Sequence, residues 1–566
     1  MAQSTSFISA DLKINSLSDI KPYLTKLIDS PISSVGELET FLRQYSDVLS
    51  IYREQEARAY IEMTRYTDDE ANLKRHEMFT TEISPEVQIL TNQIDKKITE
   101  SPYYTNLDGT FYGPFKRSLK RELELFREAN VKLEAELAQL GTKYNQITGA
   151  LTATVEGKEM PLPQAQAYLM RSERAIRQEA WFATQEARLK VTEELDTLFT
   201  DMVKLRDNVA KNAGYKNYRD YKHDELERFD YTVTDVKNFH VAVRDSILPL
   251  AKEIAKQHKK KIGLENDYRP WDALGQPQGQ EPLKPFRSGK ELLDKSIAVF
   301  SELRPEFGDN LRKMEASGLF DLESRKGKAP GGYNYGLEVT GMPFIFMNAV
   351  GIHRDMVTLM HEGGHAMHTF LTAKEPLIFY RDTPSEMAET ASMSMELMTS
   401  TLWSAFYDNK DLVRARREHL EDIIGFFPWC AIVDKFQHWI YENPSHTSME
   451  RNAYYVSLLD EFGSGATDWT GLEHFRRSSW QKQLHIFEVP FYYIEYGIAQ
   501  LGSLQVYRNF VKDPQKGLDG YMAGLKLGSS KPIPEVWKAM GIQFDFSPTM
   551  IRELMEFVQS ELEKLV

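Results

Sequence analysis

Apolar residues recur at three- and four-residue steps along most of the chain, the period of a helix with one buried face. The first clear run follows Ser34 and Glu37, which have the form of an S-x-x-E capping box. Leu38, Phe41, Leu42, Tyr45, Val48, Leu49 and Tyr52 then share one helical face, and Gly36 is the single glycine between Met1 and Leu107. Ser84-Pro85 predicts a second helix start, with proline at the first helical position. A longer helix is expected from about Lys116 to Leu140. Its apolar positions Leu119, Leu123, Phe126, Leu133, Leu137 and Leu140 keep heptad spacing, with Asn130 in one slot and Gly141 as the stop. Ala150 to Met160 reads as a short β-hairpin turning at Glu156-Gly157. Helices resume from about Gln164 to Lys190 and from Glu193 to Ala213. Gly263 to Pro285 is rich in breakers and reads as a surface loop. Gly327 to Pro343 is rich in them too. It leads into a short apolar strand, Phe344 to Met347, and then a helix from Asp355 to Leu371.

Composition narrows the possibilities. The chain has 566 residues with a net charge of −14, which argues against a nucleic-acid backbone as its main partner. Cys430 is the only cysteine, so intrachain disulfides and cysteine-based zinc sites are excluded. The N-terminus has no basic start followed by an apolar stretch, so no signal peptide is expected. The longest apolar runs, Ile423 to Val433 and Gly341 to Ile352, are well short of the roughly 20 residues of a membrane span. The expectation is a soluble, cytoplasmic protein.

The helix beginning near Asp355 carries the chemistry. It contains His361-Glu362-Gly363-Gly364-His365. Residues four apart share a helix face, so both imidazoles can point at one metal, and Glu362 lies close enough to touch a water on it. Zinc takes such donors and keeps one position open in a catalytic site. Two adjacent glycines cost a helix about 1 kcal/mol each relative to alanine, which close approach of another group would explain. His368 reads as a packing or supporting histidine. A third ligand is needed, and the segment from Asp382 offers Asp382, Glu386, Glu389 and Glu396. Thr383-Pro384-Ser385-Glu386 has the form of a capping box, which gives Glu386 a structural task. Glu389, one turn deeper, is the better ligand. Glu396 has two readings, a carboxylate orienting a ligand histidine or a solvated helix charge.

HEGGHAMH, followed by Glu389 in E-T-A-S 28 residues after His361, resembles the thimet oligopeptidase and oligoendopeptidase F family of zinc metallopeptidases. The upstream PFIFMNAVGIHRDMVTLM and the later HIFEVPFYYIEYGIAQ are also similar to that family. The resemblance covers roughly Gly331 to Gly502. It implies a mostly α-helical fold with two lobes around a deep channel and a small sheet beside the zinc helix. Residues 1–195 would form the N-terminal helical lobe and 196–566 the catalytic region. It implies one zinc ion per chain on His361, His365 and Glu389, with Glu362 as general base. It implies that His485, Tyr496 and Tyr493 contact the substrate carbonyl, with Tyr492 ranked last. The thimet branch has a glycine-rich loop between its histidine and tyrosines, whereas IFEVP has no glycine. The implied substrates are short, unfolded peptides, added as a strand along Phe344 to Met347. Two other readings are a carboxypeptidase of the Taq type and a peptide-binding relative without catalysis.

Overall fold

The computed structural model describes residues 7–565. Helix α1 (Val35–Arg65) begins where Ser34 Oγ accepts from the Glu37 amide at 3.2 Å. Glu37 reaches back to the Ser33 amide, one residue before the cap. The apolar face of α1 is buried against helices α2 (Glu70–Met78) and α3 (Ser84–Glu100). Ser84-Pro85 is not a fresh start. The backbone runs helically from α2 through a π turn at Phe79–Ile83 into α3. A proline that removes one helical donor is absorbed beside such a turn. Ser84 Oγ donates to Glu56 at 2.6 Å instead of capping.

The heptad run is two helices, α4 (Gly109–Leu125) and α5 (Glu128–Gly149). Phe126 and Arg127 are extended between them. The Arg127 guanidinium donates to the carbonyls of Glu124, Phe126 and Ala213, satisfying groups that a helix break exposes. Asn130 is buried and donates to the Val209 carbonyl at 3.0 Å. Gly141 does not end α5, whose bare surface there faces Glu488.

The hairpin pairs β1 (Thr152–Val155) with β2 (Lys158–Pro161). Glu156 and Gly157 both have positive φ, 51° and 75°, the two-residue turn whose twist matches the strands. The helix expected from Gln164 is interrupted at residues 171–173, before α6 (Arg174–Leu189) and α7 (Thr192–Asn212). The buried Arg177 guanidinium takes up the Arg171 and Ser172 carbonyls at 2.8 and 2.9 Å. After α8 (Gly289–Leu303), a second sheet forms from β3 (Phe320–Glu323), β4 (Tyr333–Leu337) and β5 (Met342–Ala349). Its order is β3-β5-β4, with β3 parallel and β4 antiparallel to β5. Phe344 to Met347 is therefore the centre of the sheet rather than its edge. All four residues are buried, as a strand covered on both faces requires. β3 and β4 are the edges, and β4, paired on one side only, lines a large cavity with its other side open.

From β5 the chain turns directly into α9 (His353–Thr372). Asp355 lies inside the first turn, where one carboxylate oxygen accepts from the amides of Val350, Gly351 and Ile352 at 2.7–3.0 Å. That clamp sets the angle between strand and helix. Gly363 and Gly364 have steric reasons. A Cβ on Gly363 would lie 2.3 Å from the Phe300 ring of α8, and one on Gly364 2.6 Å from the Ser392 backbone of α10 (Ser385–Thr399). α10 packs against α9 on one side and α12 (Tyr493–Lys512) on the other, with α11 (Asn409–Glu442) behind. Thr383 to Glu386 does not form a capping box, because Pro384 flanks the helix and no side chain caps it. Glu386 is buried, 2% exposed, and accepts from the Tyr231 hydroxyl at 2.6 Å. Among the described residues, no helix is long and apolar enough to cross a membrane.

Candidate metal centre

Helix spacing puts His361 and His365 on one face of α9, and the glycine-mediated contact brings α10 close enough for Glu389 to reach both. Glu389 Oε2 lies 3.1 Å from His361 Nε2 and 3.5 Å from His365 Nε2. The donor atoms of the three residues lie within 4.8 Å of one another. His361 Nδ1 meets Glu396 Oε1 at 2.6 Å, which turns Nε2 inward. Glu396 is buried, so it is not a solvated helix charge. Glu389 Oε1 accepts from the Tyr492 hydroxyl at 2.5 Å, and its other oxygen accepts from Ser392 Oγ at 3.1 Å.

The electrostatics of the cluster are mutual. Burial alone depresses the His361 pKa, but Glu389 and Glu396 outweigh it and hold the imidazole well above its usual value. Burial alone raises Glu389, but the His365 and His361 imidazoles carry it well below the carboxylate range. Two imidazoles share proximity to one ionised carboxylate, a donor set that fits a divalent cation accepting nitrogen and oxygen.

Glu362 is 4% exposed, and its Oε2 has no hydrogen-bond partner. Burial raises its pKa, while His361 and His365 pull the other way. A buried, unpaired carboxylate oxygen is costly unless something else uses it. His368 is buried outside the ligand set, and burial drives its pKa down to about 3.

The site opens on a cavity of about 1030 Å³ lined by the β4 edge, Glu362, His485, Tyr492 and Tyr496. His485 Nδ1 accepts from Gln483 Nε2 at 2.8 Å, leaving Nε2 to donate to the Tyr496 hydroxyl at 3.1 Å. Burial lowers the His485 pKa to about 4, so the ring is neutral at pH 7. Gln483 therefore selects the tautomer, and the Tyr496 proton is left free. Nothing in the sequence marked Gln483 for that task. Tyr493 does not line the cavity. Its hydroxyl accepts from Trp429 Nε1 at 3.3 Å, on α11. Of the three tyrosines in this cluster, Tyr492 and Tyr496 are presented to the cavity, four apart rather than three. Phe491, at φ 69° with its amide held by Gln437, sets that phase just before α12.

Residues 167–556 match the profile of peptidase family M3, and residues 7–126 match the peptidase M3 N-terminal domain. The chain belongs to peptidase family M3. This M3 chain is 24% identical over 415 residues to oligopeptidase PepF of Bacillus subtilis, covering 70% of this chain and 58% of that one. It is 25% identical over 323 residues to an oligoendopeptidase F homolog of Lactococcus lactis, covering 56% and 53%. The matched stretch thus spans under two thirds of each of these relatives. Among solved structures, PZ peptidase A with an inhibitor superposes on the M3 chain with a TM-score of 0.93, at 25% identity and 97% coverage of both.

Proposed function

We propose that this M3 chain is a zinc-dependent endopeptidase that hydrolyses short, unfolded oligopeptides. The observation that carries the reading is one cavity wall holding the His361, His365 and Glu389 donors beside the unpartnered Glu362 carboxylate. The names of the relatives, oligopeptidase and oligoendopeptidase, point the same way.

His361 Nε2, His365 Nε2 and Glu389 would hold the ion. When bound, it supplies a Lewis acid that polarises the scissile carbonyl and brings a water's pKa to about 7. Glu362 takes the proton from the attacking water and passes it to the leaving amine. Tyr496, freed of its own proton's obligations by His485, donates to the developing oxyanion. Tyr492 stays on Glu389, holding that carboxylate in place. The peptide adds as a strand to the open edge of β4, whose backbone supplies the matching hydrogen bonds.

The deciding experiment combines metal analysis with turnover of an internally quenched peptide whose C-terminus is amidated. About one zinc per chain is expected, with activity lost on chelation and restored by zinc. Cleavage products lie within the chain, where a carboxypeptidase would release nothing from a blocked end. Full turnover after verified metal removal would overturn the mechanism.

The tyrosine geometry gives a second expectation. Tyr496→Phe lowers kcat by about 10²–10³-fold with KM little changed, the usual scale for one oxyanion donor. Tyr493→Phe loses less than Tyr496→Phe, because that hydroxyl lies outside the cavity, between Trp429 and Gln483. Steady-state kinetics of both variants on one peptide separates the assignments, and a larger loss from Tyr493→Phe would reverse them.

A further inference from the structure

A second cavity of about 240 Å³ opens beside the first, between α6, α7 and the segments around residues 324–331 and 475–482. The two cavities share Pro330, Gly331 and Lys482. The lining of the smaller one contains four cationic side chains and no aspartate or glutamate, in a chain whose net charge is −14. Arg325 and Lys328 are already committed, each 2.8 Å from Asp321. Arg188 and Lys482 are not. Among the described residues, neither side chain has an ion pair or a hydrogen bond, and the Lys482 ammonium has only the Trp429 ring, 5.4 Å from its centroid.

We propose that Lys482 and Arg188 receive the C-terminal carboxylate of the bound peptide. This rests on the peptidase reading and names the class of peptide it selects. Two like charges held near each other without a counter-ion destabilise both. Burial and then the neighbouring Arg188 charge lower the Lys482 pKa to about 8, and burial lowers that of Arg188. Lys482 nevertheless remains open to solvent within the cavity, so an incoming anion can reach it. An arginine and a lysine together offer fork and point-charge donors, which suits a carboxylate.

Position favours the end of the peptide over its middle. Lys482 stands three residues before His485, next to the residues that face the scissile carbonyl. A peptide pairing antiparallel with β4, as β5 does on the other side, runs its C-terminal end toward Tyr333 and so toward Gly331 and Pro330. That is where the small cavity begins. Its remaining wall includes Leu189, Leu195 and Phe475, which suit an apolar last side chain.

The test is equilibrium binding of fluorescent peptides to the full chain carrying Glu362→Gln, so that the probes stay intact. The set spans about six to twelve residues, the reach of an extended chain at ~3.3 Å per residue. Each length is made with a free C-terminus, as an amide, and as an amide ending in glutamate. At the best length the free acid binds about tenfold tighter than the amide, the scale of a charge-assisted hydrogen bond. Lys482→Met and Arg188→Met each remove that difference, while Lys482→Arg keeps it. Equal binding of acid and amide at every length overturns the proposal, as does a difference that survives both methionine variants. A glutamate-ended amide that matches the free acid overturns the assignment to the terminus, since the site then reads acidic side chains. Turnover by the parent chain is measured alongside. Turnover without acid preference leaves the peptidase reading intact and sinks this one; acid-selective binding without turnover does the reverse.

Discussion

Glu362→Gln keeps the metal and lowers kcat by about 10²–10⁴-fold, the usual worth of general-base catalysis. The amide matches the carboxylate in size, and 4% exposure leaves no room for a rearranged rotamer bathed in water. What it loses is the ability to take a proton, at a carboxylate whose buried oxygen has no hydrogen-bond partner among the described residues. Burial raises the pKa of this group, and the two imidazoles beside it restrain that rise. Zinc per chain and quenched-peptide kinetics, measured on the same preparation, decide the matter. If the variant arrives without metal, Glu362 belongs among the ligands and the base must be sought elsewhere.

Glu389→Ala loses metal and activity together, whereas Glu386→Ala keeps both and loses stability. Among the described residues, Glu389 is the one carboxylate within 3.5 Å of both motif histidines, and two further hydrogen bonds, from Tyr492 and Ser392, lock its position. Removing it leaves two imidazoles, too few for a tetrahedral site. Glu386, one turn earlier, points the other way. Its truncation strands the buried Tyr231 hydroxyl, which costs about 1–3 kcal/mol. The measurement is zinc content and melting temperature for each variant. Metal lost from Glu386→Ala and kept by Glu389→Ala would exchange their roles.

Much of the fold is legible in the sequence, and the places where the sequence misleads share a cause. Helical periodicity located the apolar faces of α1 and α9, because each is set by residues a turn apart. Helix ends were harder. The break at Phe126 and Arg127 is sustained by a carbonyl at Ala213, and the one at residues 171–173 by Arg177 and its anchor at Trp271 and Asp272. Local pattern carries no trace of partners so far along the chain. Glu386 departs from its motif for the same reason, since a side chain that could cap its own helix is instead claimed by Tyr231. In the candidate site, the H-E-x-x-H motif is local and stood out. The phase of the tyrosines is not local, because it depends on one left-handed residue, Phe491, held by Gln437 from another helix. The double glycine was the reverse case. Its penalty within a helix was itself the signal, and Phe300 and Ser392 account for it.

The open edge of β4 bears on how the molecule behaves in a crowded solution. An unpaired strand edge is a template for any other exposed strand, and proteins ordinarily blunt it with charge, bulges or a covering loop. Here the edge is left unblunted and set inside a concave wall instead. A recessed edge is reached more readily by a single extended chain than by the edge strand of a folded neighbour. The shape that admits a peptide thus also guards the molecule against self-association, and truncations that remove the opposing wall would expose an aggregation-prone strand.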